Sequence, residues 1–403
     1  MQNKSGSESE KIVVKAFFCY KAMDKTFLTN QMSASTKNRS LPGLAQPYCC
    51  GILRRSVVGG KNSKSLFISL FLLLLFSGAC SHPGRSNEEL LDDLLTKKKE
   101  VTILVTDSGL GGLSIAADLV FRLPESGLFR SARVVFFSAL FKEKSGYNSL
   151  KNDSDKARIF QTVLEAMEKR FHPDLLVIGC NTLSVVYHQT PFSRRPAFPV
   201  VGIVETGADL IAAQFDRTPG ATAVVFATRT TIESEAHKKL LLDRGYAPEK
   251  IIGQACHKLA GAINRGFQSE ETAALIRTFV AEALVNLPEP GAPFFASLNC
   301  TDYGYSIEQF RQAFTENGYA DIEIIDPNPR LADFLFEPPH LHRFPETRVS
   351  VEVISRTIIT AEMIGSVGLL LEAISPQTAE ALRRYRHDPG LFQPQLGGVE
   401  FIE

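Results

Sequence analysis

Two apolar runs that each end in a cysteine constrain this chain more than any other feature. Residues 174–178 lead into Gly179-Cys180-Asn181-Thr182, and residues 293–298 lead into Asn299-Cys300-Thr301-Asp302-Tyr303. Short apolar runs of this kind read as strands buried on both faces of a parallel sheet. Each cysteine then lies at a strand's carboxyl end, where open α/β sheets place their ligands. A thiolate is a good nucleophile or carbon base when its surroundings tune its pKa. Two thiols facing one small substrate from opposite sides suit stereochemical inversion: one removes a proton from carbon, and the other delivers a proton to the opposite face.

The rest of the chain alternates strand and helix in two similar halves. Residues 101–105 read as a strand, 109–112 as a tight turn, and 113–121 as the start of a helix. Residues 134–137 form a second strand. Ile159, Val163, Ala166 and Met167 sit at helical spacing ahead of the Cys180 strand, and residues 199–203 form a further strand. Residues 221–227 open the second unit. A threonine-rich turn, a helix over 232–244, a strand at 251–253, a helix over 270–287 and the Cys300 strand continue it. Such alternation predicts an α/β fold with doubly wound parallel sheets. Residues 321–326 are expected to return the chain to the first domain. The tail beyond residue 336 holds a β-like run (348–359) and a helix candidate (376–385), with no function assigned to it.

At 403 residues the chain has room for two ordinary domains, and its 44% apolar and 22% charged content fits a globular protein. A formal net charge of zero gives no electrostatic case for nucleic-acid binding. No zinc-type Cys/His spacing occurs. Of seven cysteines, Cys19, Cys49 and Cys50 lie in an N-terminal stretch set aside below. Catalytic thiols explain the remainder better than a disulfide framework.

Residues 61–80 read as a targeting signal. Arg54, Arg55, Lys61 and Lys64 give a basic flank, residues 66–76 an apolar core, and Ser77-Gly78-Ala79-Cys80 a lipoprotein-like cleavage site, with Ser77 where an aliphatic residue is usual. The core is shorter than the ~20 residues that span a bilayer and matches a signal-peptide core. Translation is expected to start near Val57 or Val58. The expected division is then a signal and upstream extension over 1–80, a tether over 81–99 ending in a short amphipathic helix, a first domain over 100–205 and 323–403, and a second over 206–322. Cys80 becomes the lipid-bearing residue. Localisation follows as the bacterial cell envelope, on the periplasmic side, with the cytoplasm as the alternative.

Five segments in order resemble the cofactor-independent aspartate/glutamate racemases, glutamate racemase in particular. They are residues 103–114, with Asp107-Ser108-Gly109-Leu110-Gly111-Gly112; Cys180-Asn181-Thr182; residues 202–208; residues 227–234, with Thr228 and Thr231; and Cys300-Thr301-Asp302-Tyr303. The resemblance implies two similar α/β domains with the active site in the cleft between them. It implies an amino-acid racemase acting on glutamate, aspartate or a related acid without pyridoxal phosphate, metal or other cofactor. A homodimer is compatible with it. Cys180 and Cys300 are the implied acid/base pair. Asp107 is implied beside the first thiol, and Asp302 stands where the family has histidine. Asn264 occupies the place of a family glutamate, Thr206 that of a proline, and residues 137–140 replace a substrate segment echoed only by Gly146-Tyr147-Asn148.

Each assignment has a plainer counterpart. The glycine-rich turn lacks the spacing of a dinucleotide fingerprint. It reads either as a cradle for the substrate carboxylate at a helix N-terminus or as a turn capped by Ser108. Thr228, Thr231, Thr301, Thr182 and Asn181 read as neutral hydrogen-bonding groups for the substrate or, for the threonines, as helix caps. Tyr147 and Asn148 join the substrate-binding set. Cys256 is structural, His257 a surface residue or a replacement acid/base group, and Glu205 a hinge residue. The rival functions are an exported amino-acid-binding protein that keeps the cleft without turnover and a cysteine-dependent decarboxylase or isomerase. Those single-cysteine chemistries do not need both thiols.

Overall fold

The computed structural model describes residues 85–143, 146–288 and 291–402. The signal segment and Cys80 lie outside them. Helix α1 (Asn87–Lys97) precedes strand β1 (Glu100–Asp107), α2 (Leu113–Ser126), β2 (Ser131–Ser138), α3 (Asp153–Phe171), β3 (Leu175–Ile178), α4 (Asn181–Tyr187), β4 (Val200–Gly202) and α5 (Ile203–Arg217). The second half runs β5 (Thr222–Ala227), α6 (Arg229–Glu233), α7 (Ala236–Asp243), β6 (Ile251–Ala255), α8 (Leu259–Arg265), α9 (Glu270–Val285), β7 (Phe294–Asn299), α10 (Ile307–Glu316) and β8 (Ile324–Ile325). The tail adds β9 (Arg348–Ser355), α11 (Ala361–Ile374), α12 (Pro376–Arg383) and β10 (Arg386–His387).

The strands form two sheets, ordered β10-β9-β2-β1-β3-β4 and β6-β5-β7-β8. Every named pairing in them is parallel. Both sheets place their cysteine-bearing strand beside the strand that opens the half: β3 pairs with β1, and β7 with β5. The apolar runs of β1, β3, β5 and β7 are buried on both faces by flanking helices, as parallel sheets require. Their carboxyl ends bring the turn after β1, the start of α4, the start of α6 and the loop after β7 to one cleft.

Several elements depart from expectation. The segment read as a tether carries α1, which is docked: Leu94 and Leu95 are buried in the main core, and Asn87 accepts the Val200 N–H at 2.8 Å. Arg343 donates to the carbonyls of Leu95, Thr96 and Lys98. A capping box at Ser86 and Glu89 starts the helix. The single helix expected over 232–244 is broken into α6 and α7 by Glu235, whose φ of +54° is left-handed. The strand at 199–203 is shorter, because Ile203 already begins α5. Residues 324–325 pair with β7 as β8, so the chain leaves the second sheet after the expected crossover at 323.

The tail is part of the first lobe. β9 pairs with β2 over their full length, from Ser131↔Arg348 to Ser138↔Ser355. α11 and α12 bury Val367, Leu371, Ala379 and Leu382 in the main core, and α11 escaped sequence reading entirely. Among the described residues, no helix is long and apolar enough to cross a membrane.

Candidate active site

The turn after β1 supplies the centre of the cleft. Asp107 is buried and accepts three hydrogen bonds: from the N–H of Gly109 at 2.7 Å, the N–H of Gly112 at 2.9 Å, and the Thr301 hydroxyl at 2.6 Å. The last crosses between the lobes. Gly111 makes that approach feasible, since a Cβ there would lie 2.5 Å from both the Asp302 nitrogen and the Thr301 hydroxyl. Tyr305 seals the same contact by donating to the carbonyls of Leu110 and Gly111, each at 3.1 Å. Burial raises the Asp107 carboxyl to about 6, opposed by its hydrogen bonds.

Cys180 is the residue before α4 and is 5% exposed. Its sulfur lies 3.2 Å from the Ser108 hydroxyl, and the N–H groups of Leu183 and Ser108 point at it. Burial pushes its thiol up to about 12, with the Asp107 charge adding to the shift and the Ser108 hydroxyl opposing it. Cys300, 6% exposed, donates its S–H towards Asp302 Oδ2 at 3.8 Å. Burial, then the Asp302 charge, holds this thiol well above its ordinary value.

Asp302 is 5% exposed, and its other oxygen accepts the Asn264 amide at 2.8 Å. Burial, followed by the charge on Asp107, raises Asp302 to about 8. A Cβ at Gly109 would lie 3.7 Å from Asn264 Nδ2 and 3.8 Å from both Asp107 Oδ1 and Asp302 Oδ2, so one turn separates the two acids. The groups that shift the two thiols and two carboxylates are burial, neutral donors and one another; no cation is among them.

The residues read from sequence as substrate ligands divide into two sets. Asn181 is 1% exposed, and neither its amide nor its carbonyl has a hydrogen-bond partner among the described residues. An unsatisfied buried polar group costs about 1–3 kcal/mol, and Asn181 carries two such atoms. The buried Tyr147 hydroxyl is likewise unpartnered, and a Cys180 thiolate adds to the burial that raises it. The second set is already engaged within the protein. Thr182 meets Thr228 at 2.9 Å across the cleft, and Thr228 meets Thr231 at 3.1 Å while capping α6. Thr301 is committed to Asp107. The Asn148 carbonyl oxygen of the side chain accepts from Thr230 at 2.9 Å. These groups join the lobes and were expected to bind substrate directly.

Ser108 serves Cys180; the residue at the N-cap of α2 is Gly112, which offers no side-chain cap. Cys256 is buried, with its sulfur on the Gln254 carbonyl at 3.6 Å. His257 and Glu205 are exposed, and Glu205 lies 4.0 Å from His188. The sequence reading missed Tyr305, Thr230 and a buried polar pair behind Cys300. That pair is His237 and Asn299, each with an unpartnered atom facing Gly207. Burial lowers His237 to about 4, so it is neutral. A histidine within an apolar helical pattern was the signal available for it. Among the described residues, no group of three His, Cys, Asp or Glu side chains is placed to hold a metal ion.

Comparison with known proteins bears on the family and the fold. The family model described as Asp/Glu/Hydantoin racemase matches residues 135–290, a span that includes Cys180 and stops short of Cys300. The glutamate racemase of Campylobacter jejuni is 33% identical over 145 residues, 35% of this chain and 52% of that protein, so this match spans about half of the relative. That of Syntrophus aciditrophicus is 27% identical over 235 residues, 57% of this chain and 76% of the relative. Among solved structures, the glutamate racemase of Francisella tularensis in complex with D-glutamate aligns with a TM-score of 0.52 at 19% identity, over 68% of this chain and 95% of that one. A Bacillus anthracis glutamate racemase isoform aligns with a TM-score of 0.51 at 22% identity, over 68% and 93%. These structures share the fold. The sequence matches, read together with the ordered motifs and the paired strand-end cysteines, support the Asp/Glu racemase family as the one this chain resembles, at a divergent 27% identity over 76% of one relative.

Proposed function

We propose that the protein is an amino-acid racemase that inverts the α-carbon of glutamate, aspartate or a closely related acid between Cys180 and Cys300. The observation that carries this reading is the pairing of two buried thiols at equivalent strand ends of two sheets, each with its own hydrogen-bonding neighbour. One thiolate takes the α-proton, leaving a carbanion stabilised by the adjacent carboxylate. The other thiol gives its S–H proton to the opposite face and becomes the thiolate for the reverse direction. Ser108 stabilises a thiolate at Cys180 by donating to it. Asp302 accepts the Cys300 proton and returns it.

Burial disfavours both thiolates, and the acids beside them add to this. The substrate's own ammonium group supplies the missing positive charge and lowers the thiol it approaches. Asn181, unpartnered in the protein, provides one donor and one acceptor for the amino-acid backbone. The test is incubation with L- and D-glutamate and aspartate in deuterated water, read by proton NMR. Loss of the α-proton signal with gain of the opposite enantiomer is expected. An unchanged signal with measurable binding would establish the binding-protein alternative.

We also propose that a lipid on Cys80 anchors the protein at the cell envelope, on the strength of the basic flank, the apolar core over 66–76 and the small residues before Cys80. An exported racemase would act on extracellular or wall-derived amino acids. Metabolic labelling with a fatty-acid probe should mark the wild type and spare Cys80→Ala; equal labelling of both refutes the anchor.

A further inference from the structure

Residues 399–402 lie along the loop that follows Gly146. Phe401 bridges Leu150 in antiparallel register. The Lys151 N–H donates to the Glu400 carbonyl at 3.0 Å, and the Ile402 N–H to the Ser149 carbonyl at 2.7 Å. The Lys151 ammonium also meets the Glu400 carboxylate at 2.8 Å, and the Lys142 ammonium sits 4.7 Å from the Phe401 ring centre. Val399 packs on the same apolar cluster that contains Tyr147 and Cys180.

The loop so held faces the cleft. Tyr147 is fully buried, edge-on to Phe141 at 5.2 Å and to Phe160 at 6.4 Å. Beside it, Asn148 reaches the second lobe. Its side chain accepts from Thr230 and its backbone carbonyl accepts from Arg229 at 3.2 Å. Thr230 and Arg229 adjoin Thr228 and Thr231, whose hydroxyls line the joint with Thr182. An unbroken chain of contacts thus runs from the tail, through the loop, to the second lobe and the cover over the first thiol.

We propose that residues 399–402 form a strap that positions the Tyr147–Asn148 loop against the second lobe, so that Glu400, Phe401 and Ile402 control access to Cys180 and substrate affinity without touching the reacting atoms. The proposal rests on the racemase reading of the cleft for its kinetic arm only. Two variants test it: removal of residues 400–403, and Ile402→Pro, which deletes the N–H that holds Ser149 and fixes φ at that position. Each is treated with iodoacetamide at pH 9, and alkylation of Cys180 and Cys300 is followed separately by peptide mass mapping. Loss of one or two backbone bonds should speed Cys180 alkylation about tenfold and leave Cys300 unchanged. KM should rise by a similar factor with kcat held within about twofold. Equal acceleration at both cysteines, or no change at Cys180 in either variant, would overturn the strap. If the wild type fails to racemise any substrate, the functional reading falls while the alkylation result still decides the strap. Should the truncated chain not fold, Ile402→Pro alone decides it.

Discussion

Replacing Asp302 by histidine probes the second half of the proposed reaction. In the native protein, Asp302 must be ionised to take the Cys300 proton, yet burial and the facing Asp107 raise it to about 8. At pH 7 a group with a pKa of about 8 is ionised about one tenth of the time, whereas a histidine at its ordinary ~6.5 is unprotonated about three quarters of the time. Asp302→His should therefore raise kcat/KM about sevenfold at pH 7. At pH 9 both groups are almost fully in the accepting form, and the gain should vanish. Both reaction directions should show it, because an equilibrium constant of one ties their kcat/KM values together. The fit is local. Asn264 now donates its amide to Asp302 and leaves its Oδ1 unpartnered. Turned over, the same amide would accept an imidazole N–H. The assay is the initial rate of α-proton exchange in deuterated water from pH 6 to 9.5. A gain of the same size at every pH, or an alkaline limb that stays where it was, would refute the assignment of Asp302 as the proton acceptor.

Cys180→Ser and Cys300→Ser should each reduce racemisation by at least about a thousandfold, because a hydroxyl is a far weaker acid than a thiol; each should still eliminate a leaving group from a β-substituted substrate, with opposite enantiomer preferences, and racemisation that survives in Cys300→Ser would sink the two-base mechanism. Asn181→Leu should stabilise the ligand-free fold by about 1–2 kcal/mol in urea, by removing two unpartnered buried polar atoms, while weakening substrate binding; a destabilised variant would show that Asn181 serves packing instead. Asp107, Asp302 and Asp326 are all raised by burial, to about 6, about 8 and about 6. The folded state therefore holds protons that the unfolded chain releases near pH 4, and this contribution to stability should be lost as pH rises from about 4 to about 8. Chemical denaturation at pH 5 and 8 measures it, and Asp302→Asn should flatten the slope.

Much of the fold was legible because parallel strands buried on both faces announce themselves as apolar runs, as at residues 174–178 and 221–227. The two thiols followed from their place at strand ends. What escaped the sequence depends on contacts between distant segments. β9 looked like a strand of unknown purpose, and only pairing with β2 shows that it completes the first sheet. α11 is apolar nearly all round, so it lacks the polar face that marks a surface helix. The break at Glu235 needs a left-handed residue where no glycine or asparagine signals one. Threonines named for the substrate turned out to be spoken for by one another and by Asp107, since hydroxyl spacing along a chain says nothing about which lobe each one meets. Asn264 gained meaning once it lay beside Asp302, to which it donates its amide.

The pairing of β2 with β9 sets the order in which the molecule can be finished. Everything from β3 to β8 lies between these two strands in the chain, so the second lobe can complete itself while the first is still open. Until residues 348–355 arrive, β2 presents an eight-residue edge that contains Val134, Val135, Phe136 and Phe137. An unpaired apolar edge of that kind is a template for association between chains. Synthesis halted between Ile325 and Arg348 would thus leave a complete second lobe attached to an aggregation-prone half-sheet. Strand β9 works as a seal on the first lobe, and incomplete chains betray themselves through the surface it would have covered.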